Sequence, residues 1–465
     1  MAAKPQSETP QLVKQAPGRN SESEPVKSGE QLPDLLRLNG SDILSLRDSH
    51  SQFVSQILAA TAPKLEYKPN SNGIVTSAGG CYFPPLLVAL RMLRRTGSTL
   101  PVEVFLSNEW EYEPLMCEEI FPSLNARCIV VSKFISSSPV PFRIEKFQLK
   151  IFAILFSSFQ NVLFLDADNF PSRNPDELFS TAPFRKATKS QSKVIKEAED
   201  NQSGSGLVIW RDYWVPSVSP LFPVVATYSV EDSIYGGNVP PINESVILHR
   251  PTAETGQLLV DKSMHTSTLL LTAYYNVYGH IYYKLLSQGG PGEGDKETFP
   301  AAALVLGKPM YTLRTPPRPL GMSGEGAIVL QGHPGEDWAA TEGKEANALF
   351  VHASAWPKLN AARYLVDHRQ WGSREQGFEK FGSDIEAVVR AEMVQMACDQ
   401  NINFNDWDYK INVEDKDIPD AQTEHAKLKG GICEKAKDTF KKMFGWEYNG
   451  VEEEARKSLV QNLTT

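Results

Sequence analysis

The 465-residue chain is 41% hydrophobic and 22% charged, ordinary proportions for a globular protein with room for one large α/β domain plus extensions. A net charge of −9 and the lack of any long basic stripe weigh against nucleic acid as the main partner. No run approaches the roughly 20 apolar residues of a membrane-spanning helix, and residues 1–30 lack the apolar centre of a signal peptide.

Residues 1–35 are polar, Pro-containing and poor in large apolar side chains, and read as a disordered tail. From Ser41 to Ala60, Ile43, Leu44, Leu46, Phe53, Val54, Ile57 and Leu58 give a partly helical pattern. A strand at Gly73–Thr76 runs into Ser-Ala-Gly-Gly and a helix over Pro85–Arg95. Next come a strand at Val102–Leu106, a helical stretch over Glu113–Ile120 and a strand at Cys128–Val131. Lys146–Ser158 is helical, with Phe147, Ile151, Ile154 and Leu155 at helical spacing, and leads to the unbroken apolar strand Val162–Leu165. Strands alternating with helices predict an α/β fold, a Rossmann-like and mostly parallel sheet flanked by helices. A solvated stretch spans 180–205, a strand covers Gly206–Trp210, and a Tyr-rich helix, Tyr274–Leu286, ends at Gly289-Gly290. Ile385–Met396 is helical, and the charged tail from Glu414 reads as an appended surface segment. The predicted parts are a tail over 1–35, a catalytic domain over 36–375 and a charged, partly helical extension over 376–465. Of the five cysteines, Cys117 and Cys128 are close enough for a short-loop bridge, with a pair of buried free thiols the equal alternative on spacing.

The strand Val162–Leu165 ends in Asp166-Ala-Asp168. In an extended chain, residues two apart share a face, and ligands of α/β sheets gather beyond such strand ends. Two hard oxygens there suit Mg²⁺ or Mn²⁺ held partly by a substrate diphosphate, although the tripeptide alone is more often a capped turn. Thr76, Ser77, Gly79 and Gly80 follow the first strand, where glycines let backbone amides approach a nucleotide; a plain strand-to-helix turn is the alternative. Lys150 could reach a donor phosphate, though most lysines are merely solvated. Asp295 and Glu297, in the glycine-flanked loop Gly292–Thr298, could grip sugar hydroxyls or face an anomeric carbon, or else cap a helix. Trp210, Asp212 and Trp214 offer aromatic faces and an acid to an acceptor sugar, the alternative being core packing. His352, after an apolar strand, is a candidate third ligand or a satisfied structural histidine.

Several phrases go beyond single residues: Gly73-Ile-Val-Thr-Ser-Ala-Gly-Gly80, Gln148-Leu-Lys-Ile-Phe-Ala-Ile-Leu-Phe-Ser-Ser-Phe159, Val162-Leu-Phe-Leu-Asp-Ala-Asp-Asn169, Trp210-Arg-Asp-Tyr-Trp214, Glu254-Thr-Gly-Gln-Leu-Leu-Val-Asp-Lys262 and Gln288-Gly-Gly-Pro-Gly-Glu-Gly-Asp-Lys-Glu-Thr-Phe299. From about Gly73 to about Leu365 the chain resembles the fungal α-mannosyltransferases of the yeast cell-wall mannan type, glycosyltransferase family 71. The resemblance implies a GT-A fold, a GDP-mannose donor, a divalent metal (Mn²⁺ or Mg²⁺) and transfer with retention to a mannose hydroxyl of a glycan acceptor. It also implies the Golgi lumen, although the membrane anchor usual in that family is not visible here. Leu349-Phe-Val-His-Ala-Ser-Ala-Trp-Pro-Lys358 looks like the closing segment of other retaining GT-A enzymes, in which His352 would bind metal and Lys358 would meet the diphosphate. With Asp166 and Asp168 these complete the implied metal and donor set. The family places cysteines at both 117 and 128, which implies a bridge in an oxidising lumen. The competing expectations are a catalytically silent glycan-binding relative and a glycosyltransferase using another nucleotide sugar.

Overall fold

The computed structural model describes residues 4–5, 7, 9–25, 30, 33–135, 144, 147–185, 204–226, 250–321, 328–341, 343–354, 359, 367–399, 402 and 432–448. Its strands are β1 (Gln11–Leu12), β2 (Leu36–Arg37), β3 (Lys68–Ser77), β4 (Val102–Leu106), β5 (Ala126–Val130), β6 (Phe159–Leu165), β7 (Asn169–Pro171), β8 (Leu207–Arg211), β9 (Ala253–Asp261), β10 (Tyr311–Thr312), β11 (Arg318–Leu320), β12 (Ile328–Gly332) and β13 (Ala348–His352). The central sheet has the order β10-β8-β9-β6-β3-β4-β5. Its β6-β3-β4-β5 half is parallel, as the strand–helix alternation predicts. Strand β4 is buried along its whole length, Glu103 included, and β6 at all but Gln160, its apolar run being Val162–Leu165. Helices Phe83–Arg95, Gln148–Phe156 and Lys262–Val277 supply the apolar side chains that cover the sheet.

Two features break the simple alternation. Strand β9 runs antiparallel to both β6 and β8, so its first residues lie level with the end of β6, Gln257 opposite Leu165. A second, wholly antiparallel sheet, β11-β12-β13-β7, then lies beside the exit of β6. Antiparallel neighbours need no crossover helix.

One expectation needs correction. The Tyr-rich helix is two helices, Lys262–Val277 and Gly279–Ser287, separated at Tyr278, whose ψ of 37° leaves the helical region. Tyr274, Tyr275 and Tyr282 form an aromatic cluster around His50, and packing there outweighs helix continuity. Described residues of the N-terminal segment pair with one another and with the rest of the fold. β1 pairs with β2, Ala16 N–H donates to the Gln288 carbonyl (2.9 Å), and Val215 N–H donates to the Arg19 carbonyl (2.8 Å). These bonds are made by backbone, so side-chain composition does not announce them. Described residues of the C-terminal region pack against the domain. Helix Ile385–Ala397 is buried nearly all round and shares the main core, with Glu392 paired to Arg91 and Arg95. Disulfide Cys398–Cys433 ties it to helix Ile432–Phe444, which buries Ala436 and Phe440. Cys117–Cys128 is also bridged, with Cα atoms 5.4 Å apart. The solvated stretch falls largely outside the described residues. Among the described residues no helix is long and apolar enough to cross a membrane.

Candidate active site

Asp166 and Asp168 do meet, but not on one strand face. β6 stops at Leu165, and the chain turns through 166–168 into β7. Asp166 N–H donates to the Gly256 carbonyl (2.9 Å), and Asn169 N–H closes the turn on the Asp166 carbonyl (3.0 Å). The third member arrives through the second sheet. Strand β13 pairs with β7 so that His352 lies opposite Asn169, and Ala353 N–H donates to the Asp168 carbonyl at 2.9 Å. Asp166, Asp168 and His352 then offer ligand atoms all within 4.8 Å of one another. His352 Nε2 is 3.3 Å from Asp168 Oδ1, and its Nδ1 is 3.5 Å from Glu254 Oε1.

Lys150 sits within this cluster. Its Nζ donates to the Thr255 carbonyl (2.7 Å) and hydroxyl (3.1 Å), and lies 3.3 Å from both Asp166 Oδ1 and Asp295 Oδ2. Its two hydrogen bonds go to Thr255, and the two carboxylates are ion-pair contacts. The electrostatics follow from crowding. Burial pushes the Asp166 carboxyl up, against the pull of Lys150. Burial would lower His352, yet Asp168 and Glu254 hold its pKa well above the usual value. Burial would raise Glu254, yet His352, the Gly256 N–H and Lys150 bring it down to about 2. Asp166, Asp168, Asp295 and Glu254 therefore face Lys150 and one imidazole. This excess of hard anionic oxygen, with one nitrogen ligand, fits a divalent cation of the Mg²⁺ or Mn²⁺ kind.

The remaining candidates divide. Asp295 belongs to the cluster through Lys150. Glu297 does not: it pairs with Arg250 and accepts from Ala253 N–H (2.7 Å), which makes it a clamp on the loop. Its neighbour Lys296 reaches Asp212 (2.6 Å), fixing the loop to the end of β8. Trp210 is fully buried, its indole N–H donating to the Gly332 carbonyl (2.9 Å), and is core rather than acceptor surface. Trp214 is half-buried, with Gly18 of the N-terminal segment against its ring. Thr76 and Ser77 are the last rungs of β3, opposite Val104 and Phe105, and the Thr76 side chain is buried, so neither belongs to the loop. The loop proper is Ala78–Gly80. Gly79 has φ +142°, and a Cβ there would lie 2.6 Å from the Glu111 carboxyl carbon, so glycine is required. Lys358 lies outside the described residues.

Glu254 and Arg250 escaped the sequence reading. A usable signal was Gly256: an isolated glycine inside a strand often marks a close approach by another group.

Residues 71–189 and 199–330 match the family described as "Mannosyltransferase putative". The chain is 35% identical to Alpha-1,2-mannosyltransferase MNN21 of Candida albicans, over 63% of this chain and 46% of that protein. It is 31% identical to Alpha-1,2-mannosyltransferase MNN2 of Saccharomyces cerevisiae, over 69% of this chain and 54% of that protein. The chain thus spans about half the length of these curated relatives. The solved galactosyltransferase LgtC is matched at 13% identity and a TM-score of 0.29, over 52% of this chain and 72% of that one, too distant to bear on the site.

Proposed function

We propose that this chain, which belongs to the mannosyltransferase family, moves mannose from GDP-mannose to a mannose hydroxyl of a glycan, with retention and with a divalent metal. The observation that carries the reading is the convergence of Asp166, Asp168 and His352, from two different sheets, at the carboxyl end of β6. In the reaction the bond from the sugar C1 to the diphosphate oxygen breaks. A bond from C1 to the acceptor oxygen forms on the same face, and the hydroxyl proton passes to the departing diphosphate oxygen. A bound Mn²⁺ or Mg²⁺ would neutralise the departing diphosphate. Asp166, Asp168 and His352 would hold it. Lys150 lies 3.3 Å from both Asp166 and Asp295, which supports Asp295 as a carboxylate that would face the transferred sugar. Asp212 would lie on the acceptor side, and its ion pair with Lys296 ties down the 292–297 loop. The two disulfides support maturation in an oxidising lumen, and the Golgi is the proposed location.

The test is to incubate the purified chain with GDP-mannose and an α-mannoside acceptor, with Mn²⁺ or with a chelator. The expected result is an α-linked disaccharide by proton NMR, formed only with the metal. Equal use of UDP-glucose would overturn the donor assignment. A β-linked product would overturn retention. Immunolocalisation of the native protein to the cytosol would overturn the compartment.

A further inference from the structure

His352 supplies the sole nitrogen of the acidic cluster and is 8% exposed, so protein contacts rather than water set its ring. Two of those contacts come from one short segment at the start of β9. Glu254 Oε1 lies 3.5 Å from Nδ1, an ion-pair contact longer than an ordinary hydrogen bond, and the buried Nδ1 makes no hydrogen bond to another described residue. That same oxygen is anchored by the Gly256 N–H at 2.5 Å. Gly256 turns its bare Cα toward the ring: a Cβ there would sit 2.6 Å from both Cε1 and Nδ1 of His352 and 2.8 Å from Glu254 Oε1. No ordinary side chain tolerates such an approach.

The segment reaches the rest of the cluster as well. The Gly256 carbonyl accepts from Asp166 N–H (2.9 Å) and from the Asn169 side-chain amide (2.7 Å). The Thr255 carbonyl accepts from Lys150 Nζ (2.7 Å). Three consecutive residues thus touch the imidazole, the backbone of the first acid and the lysine. Because β9 is antiparallel to β6, its first residues are held level with the acids rather than at the far end of the sheet.

We propose that Glu254 is a positioning residue: it holds the His352 ring with Nδ1 facing its carboxylate, so that Nε2 joins Asp166 and Asp168 around a divalent cation, while Gly256 leaves the space the ring occupies. This rests on the cation reading given above. The chemistry is general. A neutral imidazole has one N–H donor and one lone pair, and a carboxylate that takes the N–H leaves the lone pair on the opposite nitrogen. Such a partner fixes tautomer and ring orientation, and its loss costs roughly 10- to 100-fold in metal affinity.

The test measures Mn²⁺ binding to the full chain, without donor, by electron paramagnetic resonance titration. Three variants serve. Glu254→Ala removes the partner. Glu254→Gln keeps an oxygen that can still accept from both Nδ1–H and Gly256 N–H. Gly256→Ala fills the space under the ring. Glu254→Ala and Gly256→Ala are expected to lose roughly 10- to 100-fold in affinity, and Glu254→Gln to recover most of that loss. Nitrogen-15 NMR of histidine-labelled, metal-free protein supplies a second readout. The His352 signals of Glu254→Gln should keep a single Nδ1-protonated tautomer when the ring is neutral, and those of Gly256→Ala should shift. Folded Glu254→Ala protein with wild-type affinity would overturn the proposal. So would a wild-type ring that, once titrated to its neutral form, carries its proton on Nε2. If the wild type itself binds no Mn²⁺, the cation reading fails first, an outcome distinct from either.

Discussion

The two ends of the site treat charge differently. At the loop end each acid has its own cation, Glu297 with Arg250 and Asp212 with Lys296, all four side chains largely buried. At the strand end four carboxylates share Lys150 and His352. Matched buried pairs do not call for a ligand, and breaking one leaves a bare charge. An unmatched cluster is held together by the surrounding fold while its charge remains open to something from outside. The first arrangement is scaffold and the second is a place to work.

Substitutions at each end sharpen the contrast. Asp168→Ala is expected to lower metal-dependent transfer about a thousandfold or more, because the leaving diphosphate loses its clamp, while unfolding remains cooperative. Initial rates with saturating donor check it, and near wild-type turnover would end the assignment. Lys150→Met should cost about 3–5 kcal/mol of stability, since Asp166 and Asp295 are left without their cation. Added Mn²⁺ should then raise the melting temperature of this variant more than that of the wild type. Thermal scans with and without the ion decide the point. Glu297→Gln should behave oppositely, costing about 1–3 kcal/mol in denaturant unfolding through the Arg250 pair. Its turnover per folded molecule should change far less than that of Asp295→Asn.

His50 provides the smallest effect and a reference free of carboxylates. It is fully buried against Tyr275, its Nε2 2.9 Å from the phenol oxygen, and burial lowers its pKa to about 3. The folded state therefore takes up a proton less readily than the unfolded one. The stability this preserves is complete above the unfolded value near 6.5 and is lost as pH falls toward 3. By pH 5 the loss should be about 2 kcal/mol, measured by denaturant melts and absent in His50→Gln.

The parallel half of the sheet is legible because its strands are apolar runs between helical periods, and the prediction places β4 within its observed bounds and locates β3 and β6. The second sheet is not, since β7 and β11 span three residues each and take their order from pairing with distant strands. Asp166, Asp168 and His352 stand out as residue types. Their meeting does not, because it depends on the turn through 166–168 and on the register of β13 with β7. Trp210 and Glu297 misled for a shared reason. A tryptophan and a carboxylate look alike in sequence whether they face a ligand or a buried partner, here the Gly332 carbonyl and Arg250.

The pairing of β7 with β13 also imposes a schedule on the growing chain. Asp166, Asp168 and Lys150 leave the ribosome with the first half of the sheet, whereas His352 emerges only after β12 has been made. Until then the acids lack the imidazole that completes the group. A non-local contact of this kind forms late, so a competent ion site marks a chain whose two sheets have already joined.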